Sequence, residues 1–133
     1  MLALGVTEKS SSPWASPVVL VPKAAAPGAK PELRYCVAYQ SLNSVTRTDA
    51  HPISRADELV HWLGTAKFLS TFDLTSGYWQ IALTKGAKKK STFSTPDVHY
   101  QFRVMPFGLK NVTATFQQLV NWVLAGKDAY CTA

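Results

Sequence analysis

The stretch of sequence that decides the fold is Phe72-Asp73-Leu74-Thr75-Ser76-Gly77-Tyr78-Trp79-Gln80-Ile81. The apolar and β-branched residues just before and within it predict a buried β-strand over Lys67–Asp73. Asp73 ends this strand, and a carboxylate leaving a buried strand costs free energy unless a partner compensates for its desolvation. A divalent cation is one such partner, because magnesium prefers oxygen ligands. The alternative is that Asp73 caps the short helical turn that follows, and these ten residues alone leave both interpretations open.

The bulk composition indicates a folded protein with a basic surface. The chain has 133 residues, which fits one domain or part of one. It is 47% hydrophobic and 17% charged, a balance typical of folded rather than disordered chains. The net charge of +6 favours a polyanionic partner, although many basic proteins bind no nucleic acid.

Cysteine usage and hydropathy indicate the cellular environment. Cys36 and Cys131 lack the spacing of metal ligands, so we expect reduced, buried thiols and an intracellular location, either cytoplasmic or nuclear. The apolar run Met1–Leu4 is too short for a signal peptide. No segment approaches the roughly 20 apolar residues of a membrane span, so no membrane partner is expected.

The first half of the chain predicts a hairpin followed by a helix. Strands are expected over Val18–Pro22 and Leu33–Tyr39, joined by a flexible loop over residues 24–31. Apolar residues at helical spacing predict a helix over Pro52–Leu63, with Gly64 as its stop.

The second half predicts a lysine-rich turn, a second hairpin and a longer helix. We expect Lys85–Lys90 to be a solvated turn, an interpretation favoured over a phosphate contact. Strands over Ser91–Thr95 and Tyr100–Met105 would be joined at Pro96-Asp97. Asn111 is a candidate N-cap for a helix that stops at Gly126, and Tyr130–Ala133 is a candidate strand start. This order gives an α+β fold rather than a regular βαβ alternation.

Several long segments, taken together, resemble the reverse transcriptase of Ty3/gypsy-type LTR retrotransposons. Three carry most of the resemblance: residues 33–43 (Leu-Arg-Tyr-Cys-Val-Ala-Tyr-Gln-Ser-Leu-Asn), residues 72–81, and residues 104–111 (Val-Met-Pro-Phe-Gly-Leu-Lys-Asn) leading to Ala114-Thr115-Phe116-Gln117. Residues 11–23, Asp49-Ala50-His51-Pro52 and Phe68-Leu69-Ser70-Thr71 also look like this family. The similarity runs from about Gly5 to the last residue, in the family's order.

The resemblance implies part of the palm and fingers of a right-hand polymerase fold. Residues 13–64 would form the fingers and the segment leading into them, and residues 65–133 the palm, with 85–104 returning to the fingers. Asp73 would be the first catalytic carboxylate and a ligand of Mg²⁺. Nucleotidyl transfer uses two such metals, about 3.5–4 Å apart, to stabilise the attacking and leaving oxygens.

Other site residues take their roles from the same motif match. Arg34 would grip the triphosphate of the incoming deoxynucleoside triphosphate, because a guanidinium offers two parallel hydrogen bonds. Leu74 and Thr75 would offer backbone N–H groups to that triphosphate, and Tyr78 would stack under the sugar and exclude a ribose 2′-OH. The remaining assignments are pocket lining by Phe107 and Gly108 and contact with an RNA or DNA primer–template by Gln117 and Lys90. Water-exposed arginine and ordinary core aromatics are the alternatives to these roles.

The sequence also departs from the family pattern. Ala38 and Gln40 replace a usual Asp and Arg, and Val98 replaces a glycine, which predicts backbone strain at the hairpin turn. The family's Tyr-x-Asp-Asp hairpin, thumb and RNase H domain are absent from the sequence. We therefore expect a fragment of a retrotransposon pol polyprotein that does not polymerise DNA by itself.

Two further interpretations remain open at this point. A decayed or co-opted remnant would bind nucleic acid without catalysis through Arg34, Arg103 and Lys88–Lys90. A pseudogene-derived reading frame would have no selected function. In each case an unpaired strand edge predicts marginal stability.

Overall fold

The computed structural model describes residues 1–23, 32–52, 60, 61, 63, 64, 66–127, 131 and 132. In these residues two antiparallel sheets are combined with helices, which confirms the predicted α+β class. Within the described residues no helix is both long enough and apolar enough to cross a membrane.

One sheet has three strands in the order β1-β5-β4. Its members are β1 (Thr7–Lys9), β4 (Phe93–Ser94) and β5 (His99–Phe102). Thr7 lies opposite Phe102, and Phe93 lies opposite Tyr100. The hairpin β4–β5 was predicted with longer strands. Strand β1 was not predicted, because three residues carry too little alternation to indicate a strand without knowledge of their partner.

The second sheet is the predicted hairpin of β2 (Val18–Pro22) and β3 (Leu33–Val37). Val18 lies opposite Val37, and β3 ends two residues before the predicted boundary. Next to the loop end of this hairpin, Lys23 Nζ and Glu32 Oε2 form an ion pair of 2.6 Å. The predicted loop over residues 24–31 lies outside the described residues.

The hydrophobic core joins the two sheets. Val6, Phe93 and Phe102 are buried, and Tyr35 of β3 packs against this cluster. The Phe93 ring lies 5.3 Å from the Phe102 ring and 5.6 Å, edge-on, from the Tyr35 ring. Burial of aromatic side chains from both sheets therefore fixes the hairpin against the three-stranded sheet.

The predicted strand over Lys67–Asp73 is wrong. This segment has no regular secondary structure, and the side chains of Phe68 and Phe72 are 94% and 88% exposed. An apolar run forms a buried strand only where a neighbouring strand accepts its backbone hydrogen bonds. Within the described residues no strand pairs with it. Local composition therefore overestimated the burial of this segment.

The α-helices whose bounds are described are α1 (Gln40–Val45), α2 (Lys85–Lys90) and α3 (Val112–Leu124). The turn predicted over Lys85–Lys90 is thus a short helix, which begins where the Thr84 hydroxyl accepts a hydrogen bond from the Ala87 N–H. Helix α3 agrees with the prediction, and Gly126 follows it with a φ of +79°.

One local expectation is wrong, one is confirmed in position only, and two fall largely outside the described residues. Val98 does not have a positive φ, so the predicted strain at this turn is absent. Asn111 lies at the N-cap position of α3, but its side chain makes no capping hydrogen bond. Residues 53–59 and 62 of the predicted helix, and residues 128–130 and 133 around the predicted last strand, are not described.

Candidate functional site

Three aromatic side chains from separate segments meet beside the end of the opening stretch. The Tyr78 ring lies 5.1 Å from the Phe107 ring and 5.2 Å from the Phe116 ring. Trp79 lies edge-on to Phe107 at 6.5 Å. These distances are typical of favourable aromatic contacts. We call Tyr78, Phe107 and Phe116 the aromatic wall.

A 3₁₀-helix over Gly77–Gln80 positions Tyr78 in this wall. Ser76 enters it in the left-handed conformation, with φ 52° and ψ 42°. A Cβ atom on Gly77 would lie 3.0 Å from two ring carbons of Phe116, closer than ordinary van der Waals contact, so glycine lets the turn approach α3 without moving that ring.

Strand-like contacts then hold this turn against the segment that carries Phe107. The Met105 N–H donates to the Ile81 carbonyl at 2.8 Å, and Ala82 forms an antiparallel bridge with Val104. The two sequence segments that carry the family resemblance are therefore neighbours in space.

Gly108 gives the turn after Phe107 its shape. Its φ of +91° is a conformation that residues with a side chain rarely adopt. Phe107 is 59% exposed, so one part of its ring remains open to solvent beside its contact with Tyr78. The Asn43 side chain, which the sequence analysis did not single out, contacts the same turn through two hydrogen bonds.

Arg34 lies at the same surface as this turn. A groove of about 510 Å³ is lined by Arg34, Tyr35, Trp79, Phe107 and Gly108, among others. Tyr35 Oη and Trp79 Nε1 are buried without a hydrogen-bond partner. Burial raises the pKa of Tyr35 to about 12, so its hydroxyl stays protonated as a donor at neutral pH.

Asp73 is exposed, as are Leu74 and Thr75. The capping interpretation is wrong, because Ser76 occupies the N-cap position and the 3₁₀-helix has no side-chain cap. Among the described residues, no group of three or more His, Cys, Asp or Glu side chains could hold a metal ion. An exposed carboxylate suits a hard cation, but Asp73 supplies only one of the several oxygen ligands that such a cation needs.

The two residues predicted to contact template or primer lie on different helices. Gln117 lies on α3, half-buried, and donates to Asn121 Oδ1 at 2.9 Å. Lys90 is exposed at the end of α2. The structure thus brings Arg34, Tyr78, Phe107 and Gly108 to one region, whereas Lys90 belongs to the helix beside the three-stranded sheet.

Two other basic residues are engaged within the protein. Glu8 on β1 lies 3.5 Å from Lys88 Nζ and 3.7 Å from Arg103 Nε. Gln101 Nε2 donates to the same carboxylate at 2.8 Å. Lys88 and Arg103 are therefore less available to a phosphate than the sequence suggested.

Comparison with known proteins identifies the family to which this chain belongs. The sequence profile described as reverse transcriptase (RNA-dependent DNA polymerase) matches residues 21–131. The Pol polyprotein of transposon opus from Drosophila melanogaster is 39% identical in an alignment of 133 positions that covers 98% of this chain and 13% of that polyprotein. An RNA-directed DNA polymerase homolog from Oenothera berteroana is 46% identical over 92 residues, which cover 69% of this chain and 65% of that protein.

Solved structures agree on the fold. The protease–reverse transcriptase of prototype foamy virus superposes with a TM-score of 0.75 at 24% identity, over 92% of this chain and 16% of that one. The foamy viral enzyme in complex with an RNA/DNA hybrid gives a TM-score of 0.70. These neighbours confirm a partial polymerase fold, and the chain spans only 12–13% of the Pol polyproteins of transposons 297 and opus. The chain therefore belongs to the reverse transcriptase family, and its sequence matches one part of the Pol polyprotein of retrovirus-related transposons.

Proposed function

We propose that the chain forms part of the fingers and palm of a Ty3/gypsy-type RNA-directed DNA polymerase, and that it binds the incoming deoxynucleoside triphosphate beside a primer–template. Residues 13–64 would belong to the fingers, and residues 65–133 to the palm, with 85–104 returning to the fingers. The observation that carries the proposal is that Arg34 and Phe107 line one groove, and that the Tyr78 ring packs against Phe107 at 5.1 Å.

The groove offers complementary groups for a nucleotide. Arg34 would bind the triphosphate through two parallel hydrogen bonds, and Leu74 and Thr75 would contribute backbone N–H groups. The Tyr78 ring would lie under the sugar, where its bulk discriminates against a 2′-OH. Gly108, which has no side chain, lets the backbone approach the ligand closely.

Asp73 would hold a divalent cation, which we propose is Mg²⁺. When bound, such metals stabilise the negative charge that develops on the attacking and leaving oxygens. Asp73 contributes one carboxylate to this task, and the remaining acidic ligands would come from outside the described residues. For this reason we expect nucleotide binding without sustained primer extension by this chain alone.

A nucleic-acid-binding remnant without catalysis is the second candidate. The exposed side chains of Lys89 and Lys90 and the net charge of +6 favour phosphate contacts. The ion pairs of Glu8 with Lys88 and Arg103 weaken this candidate, because one carboxylate engages two of the five basic residues on which it depends and offsets one of their positive charges. The two candidates differ in whether a nucleotide binds at Arg34.

The test replaces Arg34 by lysine, which keeps the positive charge but cannot form the two parallel hydrogen bonds of a guanidinium. We expect Arg34→Lys to weaken the binding of dATP, measured by calorimetry with magnesium and a primer–template, by about tenfold, equivalent to about 1.4 kcal/mol. Arg47→Lys is the matched control, since Arg47 is also exposed and its carbonyl accepts a hydrogen bond from Asn111.

Equal dATP affinity in the Arg34 and Arg47 variants would contradict the proposed nucleotide site. Retained binding to the primer–template in that case would favour the remnant without catalysis. Sustained primer extension by the unaltered chain would contradict the expectation that this chain has too few acidic ligands to hold the catalytic metals.

A further inference from the structure

The turn at Phe107–Gly108 is exposed to solvent, although the Phe107 ring contacts Tyr78 and Trp79. Both residues are exposed, and Phe107 retains 59% of its accessible surface. Gly108 adopts a φ of +91°, and glycine loses more conformational freedom on folding than any other residue. Without further contacts, a turn of this kind would sample several conformations.

Asn43 supplies those contacts through both ends of one side-chain amide. Its Nδ2 donates to the Gly108 carbonyl at 2.8 Å, and its Oδ1 accepts from the Lys110 N–H at 2.9 Å. Asparagine carries a donor and an acceptor on a single planar group, so it can bind two nearby backbone groups at once. Aspartate would lose the donor, and alanine would lose both hydrogen bonds.

Asn43 is itself held by a rigid part of the molecule. It lies on α1, where its backbone N–H donates to the Tyr39 carbonyl at 2.8 Å. Tyr39 is only 2% exposed, and its hydroxyl donates to the Ser91 carbonyl at 2.9 Å. A third bond, from Lys110 Nζ to the Thr46 carbonyl at 2.9 Å, links the same two segments. We call the two hydrogen bonds of the Asn43 amide, to Gly108 and to Lys110, the clasp. The clasp thus connects the turn to the core.

Phe107 immediately precedes the residue whose carbonyl Asn43 binds, and it is mostly exposed. Its ring lies 5.1 Å from Tyr78. We propose that Asn43 is a positioning residue, which fixes the Phe107–Gly108 turn and thereby the placement of Tyr78 and Phe107 against the sugar of the nucleotide. This inference rests on the proposed nucleotide site.

The experiment compares Asn43→Ala and Asn43→Asp with the unaltered chain by two readouts. The first is hydrogen exchange of the Lys110 amide, which reports the clasp without any nucleotide. The second is the ratio of the affinities for dATP and ATP, measured with magnesium and a primer–template. Ser44→Ala is the matched control, because the Ser44 hydroxyl donates to Ser41 in the same helix.

For Asn43→Ala we expect exchange of the Lys110 amide to accelerate at least tenfold and the preference for dATP over ATP to fall several-fold. Asn43→Asp keeps the acceptor for Lys110, so it should preserve this amide's protection and still lower the preference. Asn43→Asp also serves as the test if Asn43→Ala does not fold. Ser44→Ala should change neither readout.

An unchanged exchange rate at Lys110 in Asn43→Ala would overturn the inference, as would an unchanged ratio of affinities in both variants. Absence of nucleotide binding by the unaltered chain would be a different result. It would overturn the proposed function, and the positioning role with it, whereas the exchange rates would still report whether the clasp forms.

Discussion

At the scale of single residues, Gly77 sets the distance between the opening stretch and α3. A Cβ atom at this position would lie 3.0 Å from two ring carbons of Phe116, which is itself held in the aromatic wall. Relief of this overlap requires the 3₁₀-helix or the ring to move. Overpacking of this kind costs about 1–3 kcal/mol, so we expect Gly77→Ala to lower the free energy of unfolding by that amount, measured by urea denaturation.

Gly86 provides the control for this substitution. It lies within α2, and nothing would lie within 4 Å of a Cβ atom there. Because alanine favours a helix over glycine, Gly86→Ala should raise the free energy of unfolding by up to about 1 kcal/mol. A Gly77→Ala variant as stable as the unaltered chain would show that the contact between Gly77 and Phe116 is not tight in solution.

Single residues also show where prediction from sequence was limited. The family resemblance singled out Tyr78 and Phe107, and their rings do meet. It did not single out Asn43, although this residue ends one of the matching segments, because an asparagine reveals its partners only through distant backbone groups. The roles of Arg34 and Asp73 remain predictions.

At the scale of elements, β1 depends on its polar contacts with β5. The pKa of Glu8 is lowered mainly by the hydrogen bond from Gln101, with further contributions from Lys88 and Arg103, while partial desolvation opposes the shift. A carboxyl whose pKa is lower in the folded state contributes stability above its unfolded pKa, and this contribution disappears as pH falls through the folded value.

We therefore expect the free energy of unfolding to fall as pH decreases below the ordinary glutamate pKa of 4.5, in part through Glu8. Glu8→Gln removes the charge, so this variant should lose part of the pH dependence in urea denaturation between pH 3 and 7. The effect is modest because the side chain is 38% exposed and solvent screens its ion pairs. Identical pH profiles for the two proteins would contradict the contribution of Glu8.

The elements that were predicted well depend on local pairing. Strands β2 and β3 are close in sequence, and their apolar runs are sufficient to indicate a hairpin. Strand β1 and the segment Lys67–Asp73 behave in opposite ways. The first has little strand pattern and pairs with β5, about 90 residues away, whereas the second has a strong pattern and no described partner.

At the scale of the whole molecule, the exposed apolar side chains of segment Lys67–Asp73 should contribute to self-association but not to the free energy of unfolding. Phe72 is 88% exposed, whereas Phe93 retains only 4% of its accessible surface in the core. Phe72→Ala should change the free energy of unfolding by less than about 0.5 kcal/mol, because it removes no buried contact. Phe93→Ala should cost about 3–5 kcal/mol through lost burial and a cavity.

The same pair of variants tests whether the exposed segment favours self-association. Exposed apolar side chains favour association, so Phe72→Ala should reduce the concentration-dependent rise in molecular mass measured by light scattering. If Phe72→Ala destabilised the chain as much as Phe93→Ala does, the segment would be packed in solution and the interpretation of its exposure would be wrong.

The sequence by itself determined the reverse transcriptase family, the α+β class, the hairpin β2–β3 and helix α3, because each depends on order, composition or local periodicity. Only the tertiary structure decided that Asp73 is exposed, that Glu8 engages Lys88 and Arg103, and that Asn43 clasps the turn at Gly108. The physical reason is that burial and hydrogen bonding depend on groups distant in sequence. A local pattern indicates a preferred conformation, but it does not specify the groups that a residue will meet.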